Sequence, residues 1–199
     1  MAIEKSKIRF DGRRELNKVL PLSTPYSIYL DPASACNFNC SFCPTGHHEL
    51  VTKFYKRSVM SLGMFEDIIL QIGMFPSPLK VLRLNKIGEP TLNSDLPEMI
   101  KKARESGRIE WIDFATNGSR FNDENIESYL RSGVNRINIS LEGLSSEAYL
   151  RNAKIKIDFD SFVGNLRDLY LEKEKMKGSL NIAPEILVKI PQQLLENAE

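Results

Sequence analysis

The chain alternates short apolar runs with longer segments whose apolar positions recur three and four residues apart. Tyr26-Ser27-Ile28-Tyr29-Leu30 reads as a first strand, stopped by Asp31-Pro32. Leu62, Phe65, Ile68, Ile69 and Ile72 then repeat at helical spacing, with Ser61 as N-cap and Pro76 and Pro78 as the stop. Leu79 to Leu84 is a second strand, and Asn85 to Pro90 a loop. Leu96, Met99, Ile100 and Ala103 form the next helical stripe, closed by Gly107. Trp111 to Thr116 is a third strand ending at Asn117-Gly118, and Ile126, Tyr129 and Leu130 mark a short helix that stops at Gly133. Arg136 to Leu141 is a fourth strand. Phe159, Phe162, Val163, Leu166, Leu169 and Tyr170 give the clearest helix, with Gly178 as its end. Ile186 to Ile190 reads as a fifth strand, and Gln192 to Glu199 as the first turns of another helix.

Strands alternating with helices predict an α/β fold with parallel strands, a partial (β/α) barrel of about five βα units. Residues 1–24 read as a polar, basic lead-in. Residues 25–199 read as one core domain, incomplete at its C-terminal end because the rhythm stops inside a βα unit. Strand parity adds a second expectation. Ile137, Ile139 and Leu141 face one way, and Asn138, Ser140 and Glu142 the other; Leu82 and Leu84 oppose Arg83 and Asn85. A doubly covered strand is apolar on both faces, so a polar face near the C-terminal strand ends points to a site there. The competing reading is that these groups only cap turns or pair with one another.

Composition narrows the function. Of 199 residues, 42% are hydrophobic and 27% charged, an ordinary globular balance. A net charge of +1 gives no electrostatic case for nucleic acid or an anionic membrane. No apolar run approaches the roughly 20 residues of a membrane span, and the charged start lacks a secretory signal. The expected compartment is the cytoplasm. Three cysteines, Cys36, Cys40 and Cys43, cannot close a disulfide framework and lie together on one loop.

Their spacing, C-x3-C-x2-C, lets a single loop present three thiolates, the ligands that iron–sulfur clusters and zinc prefer. A closed four-iron cluster takes four protein ligands. Here one corner is open or a different residue fills it. A structural zinc site using His47 or His48, since Cys43 to His47 is C-x3-H, competes with the cluster. Buried cysteines without metal are the remaining alternative.

Cys36, Cys40 and Cys43, with Phe42 just before the last, resemble the signature of the radical S-adenosylmethionine (SAM) enzymes. The resemblance implies a 4Fe-4S cluster whose fourth iron takes the amino and carboxylate groups of SAM. One electron then cleaves SAM to methionine and a 5′-deoxyadenosyl radical, which abstracts hydrogen from substrate. Three later segments fit the same family in order. Gly88-Glu89-Pro90 resembles the family's Gly-Gly-Glu-Pro loop, which receives the SAM amino group, with Ile87 where the first Gly is expected. Thr116-Asn117-Gly118 resembles the triplet near cofactor and substrate. Ser140-Leu141-Glu142-Gly143 resembles the Ser-x-Asp/Glu-Gly segment that reaches ribose and methionine. By resemblance Phe42, Gly88, Glu89, Asn117, Ser140 and Glu142 are candidate SAM contacts, Phe42 near the adenine. Lys189 reads as solvent-facing. The resemblance further implies a flavodoxin- or ferredoxin-like electron donor and a small-molecule or peptide substrate that the sequence does not name. A zinc-stabilised binding module, or a degenerate member that keeps the fold without catalysis, are the alternatives.

Overall fold

The computed structural model describes residues 15–46 and 56–189. Five strands form one sheet in chain order, with every neighbouring pair parallel. They are β1 (Ser27–Tyr29), β2 (Leu79–Arg83), β3 (Ile109–Thr116), β4 (Arg136–Ser140) and β5 (Glu185–Lys189). Between them run α1 (Leu62–Gly73), α2 (Leu96–Glu105), α3 (Ile126–Arg131), α4 (Ser146–Asn152) and α5 (Phe159–Met176). Because each strand adds beside the one before it, crossovers of one hand return on one side of the sheet. That is the winding of a barrel wall.

The core forms on that side. Leu82, Ile112, Phe114, Ile137 and Ile139 pack with Phe65, Ile69, Met99 and Ile100 of α1 and α2. Each large side chain so buried contributes about 1.5–3 kcal/mol. The helices start where the sequence supplies acceptors. Ser61 Oγ accepts from the Met64 amide at 3.2 Å, and Asp158 Oδ1 from the Ser161 amide at 3.2 Å. Gly107 ends α2 at φ +63, the left-handed turn that glycine takes freely.

The predicted elements are present with shifted ends. β1 is shorter than the apolar run that marks it, and β3 starts at Ile109 rather than Trp111. α4 was absent from the sequence reading. Its seven residues bury only Ala148 and Tyr149, too few to show a period, yet Ser145 caps it by accepting from the Ala148 amide at 3.2 Å. The proposed end of the fifth strand at Ile190, the helix from Gln192, His47 and His48 lie outside the described residues. Among the described residues no helix is long and apolar enough to cross a membrane.

Leu82 is fully enclosed between sheet and helices. Leu82→Ala should lower the unfolding free energy by about 2–5 kcal/mol, read as a shifted urea midpoint with an unchanged slope.

Candidate cofactor site

The cysteine loop leaves the C-terminal end of β1 and is held from two sides. The Asn39 amide donates to Ala153 O at 2.9 Å and the Ser41 amide to Asn152 O at 3.0 Å. These are carbonyls at the end of α4 that the helix itself leaves unpaired. Phe38 points down into a second, smaller core with Leu141, Tyr149 and Phe162, meeting the Tyr149 ring edge-on at 6.0 Å. The phenylalanine between the first two cysteines is therefore the anchor, and the loop is a packed element.

All three cysteines are free; Cys40 is buried, Cys36 and Cys43 half-buried. The Phe38 amide donates to Cys36 Sγ at 3.4 Å, and Cys43 Sγ lies 2.7 Å from Thr45 Oγ1. Burial raises the Cys36 pKa, with the charge of Glu89 adding to it. The Cys40 thiol is pushed up to about 12 by burial first, then by Glu142 and its two sister cysteines. Three potential thiolates within electrostatic reach of one another disfavour ionisation unless a cation joins them.

The loop after β2 is built around two acids. Asp31 Oδ1 accepts from the amides of Lys86 and Ile87 at 2.6 and 2.9 Å. Lys154 is the one non-glycine residue with positive φ among the described residues, so Ile87 sits in ordinary backbone without strain. Gly88 is required for space. A Cβ there would come within 2.0 Å of Ala33 O and 2.6 Å of Ala35 O, which lie just before Cys36.

Glu89 is almost fully buried, and its carboxylate is used by the protein itself. Oε1 accepts from the Thr91 amide (3.0 Å), the Thr91 hydroxyl (2.6 Å) and the Thr116 hydroxyl (2.6 Å); Oε2 accepts from the Asn117 amide at 2.7 Å. Burial still raises its pKa, against the pull of those bonds. Glu89 thus ties the β2 loop to the end of β3.

From there the network reaches the first cysteine. Asn117 Nδ2 donates to Asn37 Oδ1 at 2.9 Å and lies 4.0 Å from Cys36 Sγ. Asn117 Oδ1 accepts from the amide and hydroxyl of Ser119 at 3.0 and 2.7 Å, and Asn37 Nδ2 closes the triangle on Ser119 Oγ at 2.8 Å. Gly118 turns away at φ +73, where a Cβ would press on Ile139 Cγ2 at 2.9 Å.

At the end of β4 the main chain of Glu142 is fixed, its amide donating to Tyr149 OH at 3.3 Å and its carbonyl accepting from Asn152 Nδ2 at 2.7 Å. Its Oε2, by contrast, is buried and has no hydrogen-bond partner among the described residues. Desolvation alone raises its pKa. A buried acceptor left unpaired costs about 1–3 kcal/mol, so this oxygen is matched to a donor that the described residues do not supply.

The predicted site residues therefore fall into two groups. Cys36, Glu89 and Asn117 are joined in one hydrogen-bonded frame with Gly88 packed beside it, and Cys40 neighbours Glu142. Ser140 ends β4 half-buried, in register with Lys189 on β5. Phe42 is 65% exposed at the rim of the loop. Sequence reasoning missed Asp31, Asn37, Thr91 and Ser119, the partners that hold the frame. Asn37 and Ser119 border recognised motifs, but no spacing rule links residues 82 positions apart.

The residues present fit a three-cysteine iron–sulfur group on two grounds: three thiols on one packed loop, and an orphaned carboxylate oxygen beside the most buried of them. Among the described residues no three His, Cys, Asp or Glu side chains converge on a single metal ion.

Two outcomes test this frame. Glu89→Ala strands two amides and two hydroxyls and should cost about 3 kcal/mol or more in urea denaturation, with Thr91→Val costing less. The Cys40 pKa is higher folded than unfolded, so its protonated thiol supports the metal-free fold and that support fades as pH rises from 9.0 toward about 12. Iron uptake must release those protons, so loading at fixed iron should increase from neutral pH toward 9.0, followed by absorbance in a weakly buffered reaction.

A family model of the Radical SAM superfamily matches residues 30–173. A probable GTP 3′,8-cyclase of Metallosphaera sedula is 36% identical over 115 residues, 57% of this chain and 33% of that protein. A 7,8-dihydro-6-hydroxymethylpterin dimethyltransferase of Methanocaldococcus jannaschii is 32% identical over 130 residues, 64% of this chain and 24% of that protein. The chain thus spans about a third or less of the length of these relatives. Streptococcus suis SuiB, solved bound to S-adenosylmethionine, superposes with a TM-score of 0.60 at 17% identity over 91% of this chain and 38% of that one. BtrN, solved with AdoMet and 2-DOIA, gives 0.54 at 16% identity, covering 85% of this chain and 58% of that one. These last two likenesses establish the partial-barrel fold. The family match spans most of the chain, and the superfamily's cofactors are a 4Fe-4S cluster and S-adenosylmethionine; this chain belongs to the radical SAM superfamily.

Proposed function

We propose that the chain is the catalytic core of a radical SAM enzyme, with Cys36, Cys40 and Cys43 as ligands of the 4Fe-4S cluster. The observation that carries this reading is the packed three-cysteine loop set beside the unpartnered Oε2 of Glu142 at the C-terminal ends of the strands. When bound, the cluster supplies the electron that cleaves SAM.

The chain's own residues bind and orient. Gly88, whose missing Cβ lets the β2 loop lie against Ala33 and Ala35, offers main-chain acceptors to an ammonium. Glu142 Oε2 accepts from an ammonium or a ribose hydroxyl, with Ser140 two residues earlier on the same side of β4. Exposed Phe42 provides a flat apolar surface for adenine. Glu89 and Asn117 act differently from a direct side-chain contact. Their polar atoms are engaged within the protein, so they position Gly88 and Cys36. The domain spans residues 25–199, with 1–24 as lead-in. The reductant is a flavodoxin- or ferredoxin-like protein, and the setting is the reducing cytoplasm that free cysteines favour.

Anaerobic reconstitution should give about four irons per chain and a broad absorption near the violet-blue edge of the visible spectrum. Replacing any of the three cysteines by Ala should remove both. With SAM and a strong reductant the loaded chain should release 5′-deoxyadenosine. Glu142→Gln should keep the iron and weaken SAM binding about tenfold, measured by equilibrium dialysis. A chain that carries zinc and no iron ends this reading. One that loads iron but yields no 5′-deoxyadenosine supports a degenerate member instead.

A further inference from the structure

The face of the sheet opposite the helices carries a row of polar side chains that the cofactor site does not use. In strand register, Tyr29, Arg83, Asp113, Arg136 and Glu185 stand side by side across all five strands. Leu82, Ile112 and Ile137, which adjoin the row on the helix side, are apolar and buried. A sheet face that only had to pack would be apolar too.

The two arginines are held before any ligand arrives. Arg83 Nη1 donates to the Tyr29 hydroxyl at 3.0 Å, and its Nε lies 3.6 Å from Asp113 Oδ1. Arg136 grips Glu185 Oε2 through Nε at 2.8 Å and Nη2 at 2.6 Å, with its guanidinium 5.2 Å over the Trp111 ring. The indole N–H of Trp111 donates to Asp113 Oδ2 at 3.3 Å. Ring and carboxylate thus fix each guanidinium, which reduces the side-chain entropy lost on binding. Arg83 Nη2 and Arg136 Nη1 hold no hydrogen bond to any described residue.

Above the row only short side chains follow on the central strands, with Asn85 and Asn138 bonded to the β3 main chain. On β3 the next residue on this face after Asp113 is Ala115, which offers only a methyl group. Ser140 stands four residues beyond Arg136 on β4, about 13 Å at roughly 3.3 Å per residue. That is the reach of a small ringed metabolite standing between the row and the strand ends. Lys189 borders the same space, and its charge is felt at Asp113. Along the row, Arg83, Arg136 and Lys189 outnumber Asp113 and Glu185.

Resting on the radical SAM reading, we propose that this row is the floor of the substrate site. The substrate is a small polar molecule bearing a phosphate or carboxylate group. Arg83 and Arg136 receive the anionic end through their remaining donors, and the reacting end stands near the cysteine loop. Apolar side chains and lipid tails do not suit such a floor, because they would bury these charges without pairing them.

Trp111 is the only tryptophan in the chain, so its fluorescence reports on this row directly. The full chain, metal-free and iron-loaded, is titrated with inorganic pyrophosphate, with citrate and with glucose at constant ionic strength. Pyrophosphate, citrate or both should give a saturable change, and glucose none; the anion that responds names the group as phosphate or carboxylate. Arg83→Gln and Arg136→Gln should each raise the half-saturating concentration about tenfold without altering iron content. Arg83→Lys, which keeps the charge but loses the fork, should fall between. If a variant unfolds, the other two still decide. The inference is overturned if neither anion acts beyond matched chloride, or if the midpoints ignore the substitutions. Iron content and 5′-deoxyadenosine are read separately, so a chain that cleaves SAM but ignores anions ends only this inference. A chain that binds anions and holds no iron ends the cofactor reading.

Discussion

The carboxylate of Glu89 is the constraint on which the rest of the site depends. It is buried, and four donors from two segments converge on it: the amide and hydroxyl of Thr91, the hydroxyl of Thr116 and the amide of Asn117. Such a carboxylate tolerates little displacement, because each lost bond leaves another buried polar group unpaired. Its own amide donates to Ala35 O at 2.8 Å, one residue before the first cysteine. The loops after β1, β2 and β3 are therefore set against one another by a single residue, through its amide and its carboxylate. Asn117 carries the constraint on to Asn37 and toward the Cys36 sulfur. A loop fixed this way can present its thiols in one arrangement without relying on the metal to order it.

The sheet divides its work between two faces. The helix side holds the core and supplies the stability. The opposite side carries charge, and toward the strand ends it gives way to the cofactor loops. This division explains how the parallel sheet holds Arg83, Asp113 and Arg136 at its centre without loss of the core. Asp113 illustrates the cost: burial raises its pKa even with Arg83, Arg136 and Lys189 pulling the other way. Such a group is kept only where its neighbours are arranged to compensate it.

The expected β/α alternation was legible because the apolar periods are long enough to distinguish strand from helix. The five strands and four of the five helices follow from it, with errors of one or two residues at the ends. α4 was not legible, since seven residues with two buried positions carry no period. Its loss from the reading mattered, because its terminal carbonyls clamp the cysteine loop. The cysteines themselves were legible from spacing. The roles of Glu89 and Asn117 were not: the motif marks their positions, but only the fold reveals that their polar atoms are already engaged. Ile87 is a similar case. In sequence it departs from the family pattern; in the structure its amide binds Asp31 in ordinary backbone, and Gly88 carries the steric requirement.

The electrostatics of the cysteine loop make sense only with a cation in place. Cys40 is raised by burial, by Glu142 and by its sister thiols, while Glu142 is raised by its own desolvation. Burial makes ionisation in this corner costly, and at Cys36 the Phe38 amide and Asn117 offset that cost only in part. On the proposed reading, an iron–sulfur centre would give the thiolates their counter-charge, and a cationic sulfonium ligand with its ammonium would offer the Glu142 oxygen a partner. The corner is therefore strained in the direction of binding. The same logic separates it from the Arg83–Asp113–Arg136 row, where opposite charges already pair and only the outer donors are left to a ligand. On the proposed readings, one region would take cations and the other an anion, and the strands between them would set the distance that a substrate has to span.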